Sequence, residues 1–291
     1  MFLVSLPRLL GTGVALLFLW ALCPYTASAA PLLSEEDPQE PLQKGMVSLT
    51  FDDGYASHYT VALPILLGAH LSASFYIITS SVEEATMATL AEDNEMLMDV
   101  PGERESVPWY MTIEQVRALQ KVGMEVGAHT KTHPDLTVLS QSEMVEEIDG
   151  SRTTLRNIGV SSVATMAYPG GYYDERAEVV AENAGFSAAR TSDEGYNGKN
   201  VNRYALLSGN VTSEITAEEV KSWIDTAAKN HLWLILEFHQ LESKESLEDL
   251  GFIYGSTPEI LREVVEYLAA QEQLGVLEVK TVTEGVRTLS E

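Results

Sequence analysis

Cysteine is almost missing from this chain: among 291 residues the one thiol is Cys23, inside an N-terminal apolar stretch. With no second thiol, a disulfide scaffold is excluded, and a thiol nucleophile is lost if that stretch is a cleaved leader. Basic residues are scarce as well, with 18 Lys and Arg against 43 Asp and Glu for a formal charge of −25. A surface of that sign repels phosphate polymers and anionic lipids, so no nucleic-acid partner and no membrane binding by the mature domain are expected. Long apolar runs are few too. The apolar run Leu9 to Cys23 is shorter than the ~20 residues a spanning helix usually needs.

What is present there is an export signal. Arg8 precedes the apolar run, and Thr26-Ala27-Ser28-Ala29-Ala30 supplies the small residues of an Ala-x-Ala cleavage site, which together predict a signal peptide over residues 1–29. An uncleaved anchor is the alternative. Residues 30–45, with Glu35, Glu36, Asp37, Pro38 and Pro41, read as an acidic linker.

From Met46 onward, short β-like runs alternate with helical patterns. Strands are expected near 46–51, 72–79, 124–128, 163–167, 187–190, 232–238 and 276–280. Helices are expected near 58–69, 112–122, 140–157, 174–184, 216–230 and 258–271, two of them opened by the capping boxes Ser140/Glu143 and Thr216/Glu219. Strand, helix, strand in repetition predicts an α/β domain with a parallel sheet. Residues 80–111 interrupt the rhythm, and since connections in compact domains usually run ~2–6 residues, this stretch reads as an insertion with some helix of its own. Its Trp109 and Tyr110 either offer faces for sugar rings to stack on or pack the insertion onto the domain.

Several predicted strands end in chemically active residues. Thr50-Phe51-Asp52-Asp53-Gly54 brings two carboxylates, and His129-Thr130-Lys131-Thr132-His133 brings two imidazoles. Asp-Asp-Gly alone is a turn signal, and two histidines at i and i+4 alone share a helical face. Together they supply the ligand types that suit Zn²⁺ or a similar ion, with an open coordination position. Successive side chains of an extended segment point opposite ways, so one Asp is expected to bind metal while the other takes a proton. Tyr168-Pro169-Gly170-Gly171-Tyr172 and Leu234 to His239 end two further β-like runs. Asn210-Val211-Thr212 is a glycosylation sequon only if the host glycosylates.

In combination and order these segments resemble the motifs of the polysaccharide deacetylases, the carbohydrate esterase family 4 with NodB homology. The likeness spans roughly residues 45 to 285, with a loosely matched fourth segment from Arg190 to Gly195. It implies a distorted (β/α)₇ barrel as a single catalytic domain over residues 46–285. It also implies removal of N-acetyl groups from an exported, N-acetylglucosamine-containing glycan. Carried over residue by residue, Asp53, His129 and His133 hold one divalent ion, Zn²⁺ first and Co²⁺, Mn²⁺ or Ni²⁺ as alternatives. Asp52 is then the general base, His239 the general acid, and the N–H of Gly170 a donor to the oxyanion. The pattern departs at Ala167, where many members carry an arginine that pairs with the base. Arg190 is the expected substitute, because a planar guanidinium can grip a carboxylate with two N–H groups. O-acetyl ester or cyclic amide hydrolysis on the same metal site are the alternatives within enzymes. A silent glycan-binding module is the other class, but it would be expected to lack the base or a ligand.

Overall fold

The computed structural model describes residues 39–92 and 109–289; the expected signal peptide and residues 93–108 of the insertion lie outside them. Eight strands and nine α-helices follow the chain among these residues. The strands are β1 (Gly45–Phe51), β2 (Ser74–Ile77), β3 (Glu125–Ala128), β4 (Thr165–Ala167), β5 (Ala188–Glu194), β6 (Leu206–Asn210), β7 (Trp233–Phe238) and β8 (Leu277–Val279). The helices are α1 (Leu63–Ala69), α2 (Thr79–Glu92), α3 (Ile113–Lys121), α4 (Gln141–Asn157), α5 (Glu175–Asn183), α6 (Ala217–Asn230), α7 (Lys244–Leu250), α8 (Pro258–Gln273) and α9 (Val282–Thr288). Both expected capping boxes form, each helix start trading a hydroxyl for a carboxylate.

All strand pairings are parallel, in the order β2-β3-β4-β5-β6-β7-β1, and β1 returns to β2 to close seven strands into a barrel. The closure is short: Thr50 and Phe51 pair with Ser74 and Phe75 at one end of β1, while β8 pairs with Gly45 to Val47 at the other. One edge of β1 therefore serves two strands, which distorts the ring. The sequence reading missed β6, α7 and α9.

Alternation along the strands separates two apolar layers. Val47, Leu49 and Phe51 of β1 and Leu234, Leu236 and Phe238 of β7 face the helices. Met46, Trp233 and Ile235 join Tyr76, Ala167, Ala188 and Leu206 inside the barrel, where Val282, Val286 and Leu289 plug the floor. Glu125 ties that floor together, accepting from Ser74, Thr165 and Thr283. Residues 39–44, read above as the end of a linker, are fastened to the barrel. Leu42 is buried, its N–H donates to the His231 carbonyl, and the Glu40 carbonyl accepts from Lys199.

Inside, Tyr76 lies flat against the main chain of β3, and only Gly127 lets it do so. A Cβ there would overlap the Tyr76 ring and lie 2.9 Å from the Thr165 carbonyl oxygen. Gly127→Ala is expected to cost about 1–3 kcal/mol by overpacking, read as a lower midpoint in urea.

Candidate active site

Moving up the barrel from the plugged floor, the inward side chains change from apolar to hydroxyl to charged: Met46, Ser48, Thr50 and Asp52 on the β1 side, then Trp233, Ile235 and Glu237 on β7. The charged end is the C-terminal end of the strands, where active sites of α/β barrels lie. The β1–β7 register, ending with Phe51 opposite Phe238, puts Asp52 level with His239 although 187 positions separate them. The Asp52 N–H continues the ladder by donating to the Phe238 carbonyl at 2.9 Å.

The chain then turns. Asp53 and Gly54 have left-handed backbones, with φ 72° and 80°. This corrects the expectation that adjacent carboxylates point opposite ways: the extended geometry ends at Asp52, and both acids reach the same imidazole. His129 Nε2 lies 3.4 Å from Asp53 Oδ1 and 3.8 Å from Asp52 Oδ2.

The two histidines also converge differently from a helical i, i+4 pair. His129 follows β3, and a non-helical turn with positive φ at Thr130 and His133 brings the second ring back, centroid 4.8 Å from the first. Thr130 Oγ1 accepts the His133 N–H, and Glu147 of α4 accepts the N–H groups of Lys131 and Thr132. Glu147 had no role in the sequence reading. It holds the turn that carries both histidines from outside.

Asp53, His129 and His133 fit a divalent ion. Asp53 Oδ1 lies 3.4 and 3.5 Å from the two Nε2 atoms, close to the ~3.3–3.4 Å edge of a tetrahedron with bonds of about 2.0–2.1 Å. His129 Nδ1–H donates to the Ala167 carbonyl at 2.8 Å, which leaves its Nε2 lone pair for a metal. Burial, then the neighbouring His129, pushes His133 down to about 4, so this ring is neutral and able to ligate. Burial opposes protonation of His129 too, but Asp52 and Asp53 outweigh it and raise its pKa. Burial likewise opposes ionisation of Asp53, yet its contacts with the His129 and His133 imidazoles hold its carboxyl low.

Beside this triangle lies a buried ion cluster. Arg190, 0% exposed, donates through Nη2 to Asp52 Oδ2 and through Nη1 to Glu237 Oε2, the latter at 2.5 Å, and its guanidinium lies 5.6 Å over the Tyr76 ring. Arg190 thus pairs with Asp52 where Ala167 cannot. Burial would raise the Asp52 carboxyl, but the Arg190 guanidinium, helped by His129 and His239, holds it below the usual range. Asp52 Oδ1 is left buried without a hydrogen-bond partner among the described residues. Glu237 Oε1 lies 3.5 Å from His239 Nε2, and Ser192 and Ser208 donate to the same carboxylate. Glu237 was missed as a functional residue, yet it is a charge on the inward parity of an otherwise apolar strand. Asp52, Glu237 and His239 are close enough to suggest a second metal site, but Arg190 already supplies the cation there.

Gly170, φ 59°, sits in a turn whose own hydrogen bonds use the N–H groups of Gly171 and Tyr172 and leave out that of Gly170. Tyr110 stacks on Tyr55, centroids 5.3 Å apart, so it packs the insertion onto the domain; Trp109 is 51% exposed beside Phe252. Asn210 is buried at the top of β6, which removes its sequon as an accessible acceptor.

The family model described as polysaccharide deacetylase matches residues 39–189. The putative polysaccharide deacetylase YxkH of Bacillus subtilis (strain 168) is 24% identical over 201 residues, covering 69% of this chain and 63% of that protein. The chain spans less than two thirds of the curated relatives it matches. Among solved structures, the Streptococcus pyogenes deacetylase PplD in complex with acetate superposes with a TM-score of 0.52 at 24% identity, over 66% of this chain and 74% of that one. A pseudoenzyme of carbohydrate esterase family 4 from Bacillus anthracis, BA3943, gives a TM-score of 0.54 at 15% identity, over 84% and 66%. These likenesses bear on the fold, and the family match adds the lineage: the chain belongs to the polysaccharide deacetylase family.

Proposed function

We propose that this chain is a metal-dependent N-deacetylase of an N-acetylglucosamine-containing glycan outside the cell membrane or in the cell envelope. The observation that carries the reading is the Asp53–His129–His133 triangle with Asp52, separately paired to Arg190, beside it. That triangle would hold a divalent ion, Zn²⁺ best suiting its donors, and the ion would supply Lewis-acid activation of water and of the amide carbonyl.

The chain's own residues then divide the proton work. Asp52, kept ionised by Arg190, takes a proton from the water whose oxygen adds to the acetyl carbon. Gly170 donates its N–H to the oxygen that gains charge. As the carbon–nitrogen bond breaks, His239 gives the departing nitrogen its proton, leaving acetate and a free amine. Glu237 orients His239 from below. Trp109, exposed near the mouth, offers a flat face to a sugar ring. The leader sequence supports export, and no helix among the described residues is long and apolar enough to cross a membrane.

Acetate release from acetylated chitooligosaccharide, peptidoglycan and xylan, measured side by side with and without chelator, tests the reading. Release from the N-acetylated glycans is expected to vanish with chelator and return with one added ion per chain. Turnover of xylan alone would instead assign an O-acetyl esterase, and metal-loaded protein that releases acetate from none would be a binding module. His133→Ala is expected to weaken metal binding by more than the roughly 10–100-fold typical of changes outside the ligand set, measured by competition with a chelating dye.

A further inference from the structure

We propose that His58 is a positioning residue for His239, fastening the main chain of the acid to the segment that carries the base; this rests on the deacetylase reading above. His58 is 0% exposed, ringed by Phe51, Tyr55 and Phe75 with centroids 5.4, 5.7 and 6.1 Å away. Burial pushes its imidazole down to about 4, so the ring is neutral. Its Nε2 lies 3.0 Å from the His239 carbonyl oxygen. A carbonyl only accepts, so the proton is on Nε2, and Nδ1 is left buried without a partner among the described residues.

That orphaned nitrogen is informative. A Leu or Phe would fill an aromatic cage without stranding a polar atom, which is unfavourable in such a place. What the imidazole adds over an apolar side chain is the one hydrogen bond it makes.

The bond falls where the chain needs it. β7 ends at Phe238, and the main-chain pairing that resumes beyond His239 is with Ser256, at Gln240 and Glu242. The neighbouring Ser57 grips the same stretch: its Oγ accepts the Leu241 N–H at 3.1 Å and donates to Gln240 Oε1 at 3.3 Å. A π-helical turn, His58–Ala62, opens at this point, a distortion often found at functional sites. Base, metal ligand and clamp thus all lie within residues 52–58. One short span of chain carries the base and holds the carbonyl of the acid.

Steady-state acetate release by full-length, metal-loaded protein, wild type against His58→Leu and His58→Gln, each alone and combined with His239→Ala, tests this. A displaced acid is expected to lower kcat by roughly 10–100-fold in His58→Leu, with KM and metal affinity unchanged. His58→Gln, whose amide nitrogen reaches the place of Nε2, is expected to recover most of that loss. Once His239 is Ala, removing His58 is expected to cost nothing more. If His58→Leu does not fold, His58→Asn, whose amide falls short of that place, takes its position in the comparison. Wild-type kcat in the Leu variant, the same fold-loss persisting without His239, or a Gln variant as slow as Leu would each overturn the proposal. A wild type that releases no acetate overturns the deacetylase reading itself, and this one with it.

Discussion

Asp52→Asn is expected to remove nearly all turnover, by roughly 10²–10⁴-fold, the range a positioned general base supplies. The amide keeps the shape of the carboxylate and an oxygen that can still accept from Arg190, while Glu237 continues to balance the guanidinium. Asp53, His129 and His133 are untouched, so the variant should bind its ion as the wild type does. Metal content and kcat/KM measured on one preparation separate the two roles. Loss of metal together with activity would make Asp52 a ligand, and activity within tenfold of wild type would put the base elsewhere.

The second large effect is on folding. Arg190→Ala leaves Asp52 and Glu237 buried, 2% exposed each, with no cation between them. Stranding buried charge in this way costs about 3–5 kcal/mol. At roughly 2–4 °C per kcal/mol for a domain of this size, the melting temperature should fall by about 10 °C. Turnover should fall as well, because Asp52, the proposed base, loses the partner that keeps it ionised and in place. Arg190→Lys should rescue neither property well, since one ammonium cannot donate in parallel to two carboxylates as the planar fork does. Adding Glu237→Gln to Arg190→Ala should restore part of the stability by removing a surplus anion, without restoring activity. A melting temperature unchanged in Arg190→Ala would contradict the buried pairing.

Much of this site was legible because the barrel puts its chemistry at strand ends. Asp52, His129 and His239 each close an apolar run, and a charged or ligating group after such a run is conspicuous. Arg190 is legible as the guanidinium that Ala167 cannot supply. Glu237 escaped because it sits inside the run, although it shares parity with Trp233 and Ile235. β6 escaped for another reason: Leu-Leu-Ser-Gly-Asn has little strand propensity, and it extends because β5 and β7 offer it a partner on both sides. The spacing of His129 and His133 suggests a helical face, whereas the two rings meet across a turn. Four residues return a side chain to the same face in a helix, but two left-handed residues at Thr130 and His133 do the same in a turn. α9 had a visible stripe at Val282, Val286 and Leu289; what local pattern does not reveal is that its partner is the underside of a barrel.

The shared guanidinium also bears on how such a site can change over generations. Asp52 and Glu237 depend on Arg190 at once, so mutations at these three positions cannot act independently. A descendant that moved the cation to another strand would have to rehouse both carboxylates in the same step, or pass through an unstable intermediate. The three positions should therefore be inherited as a block.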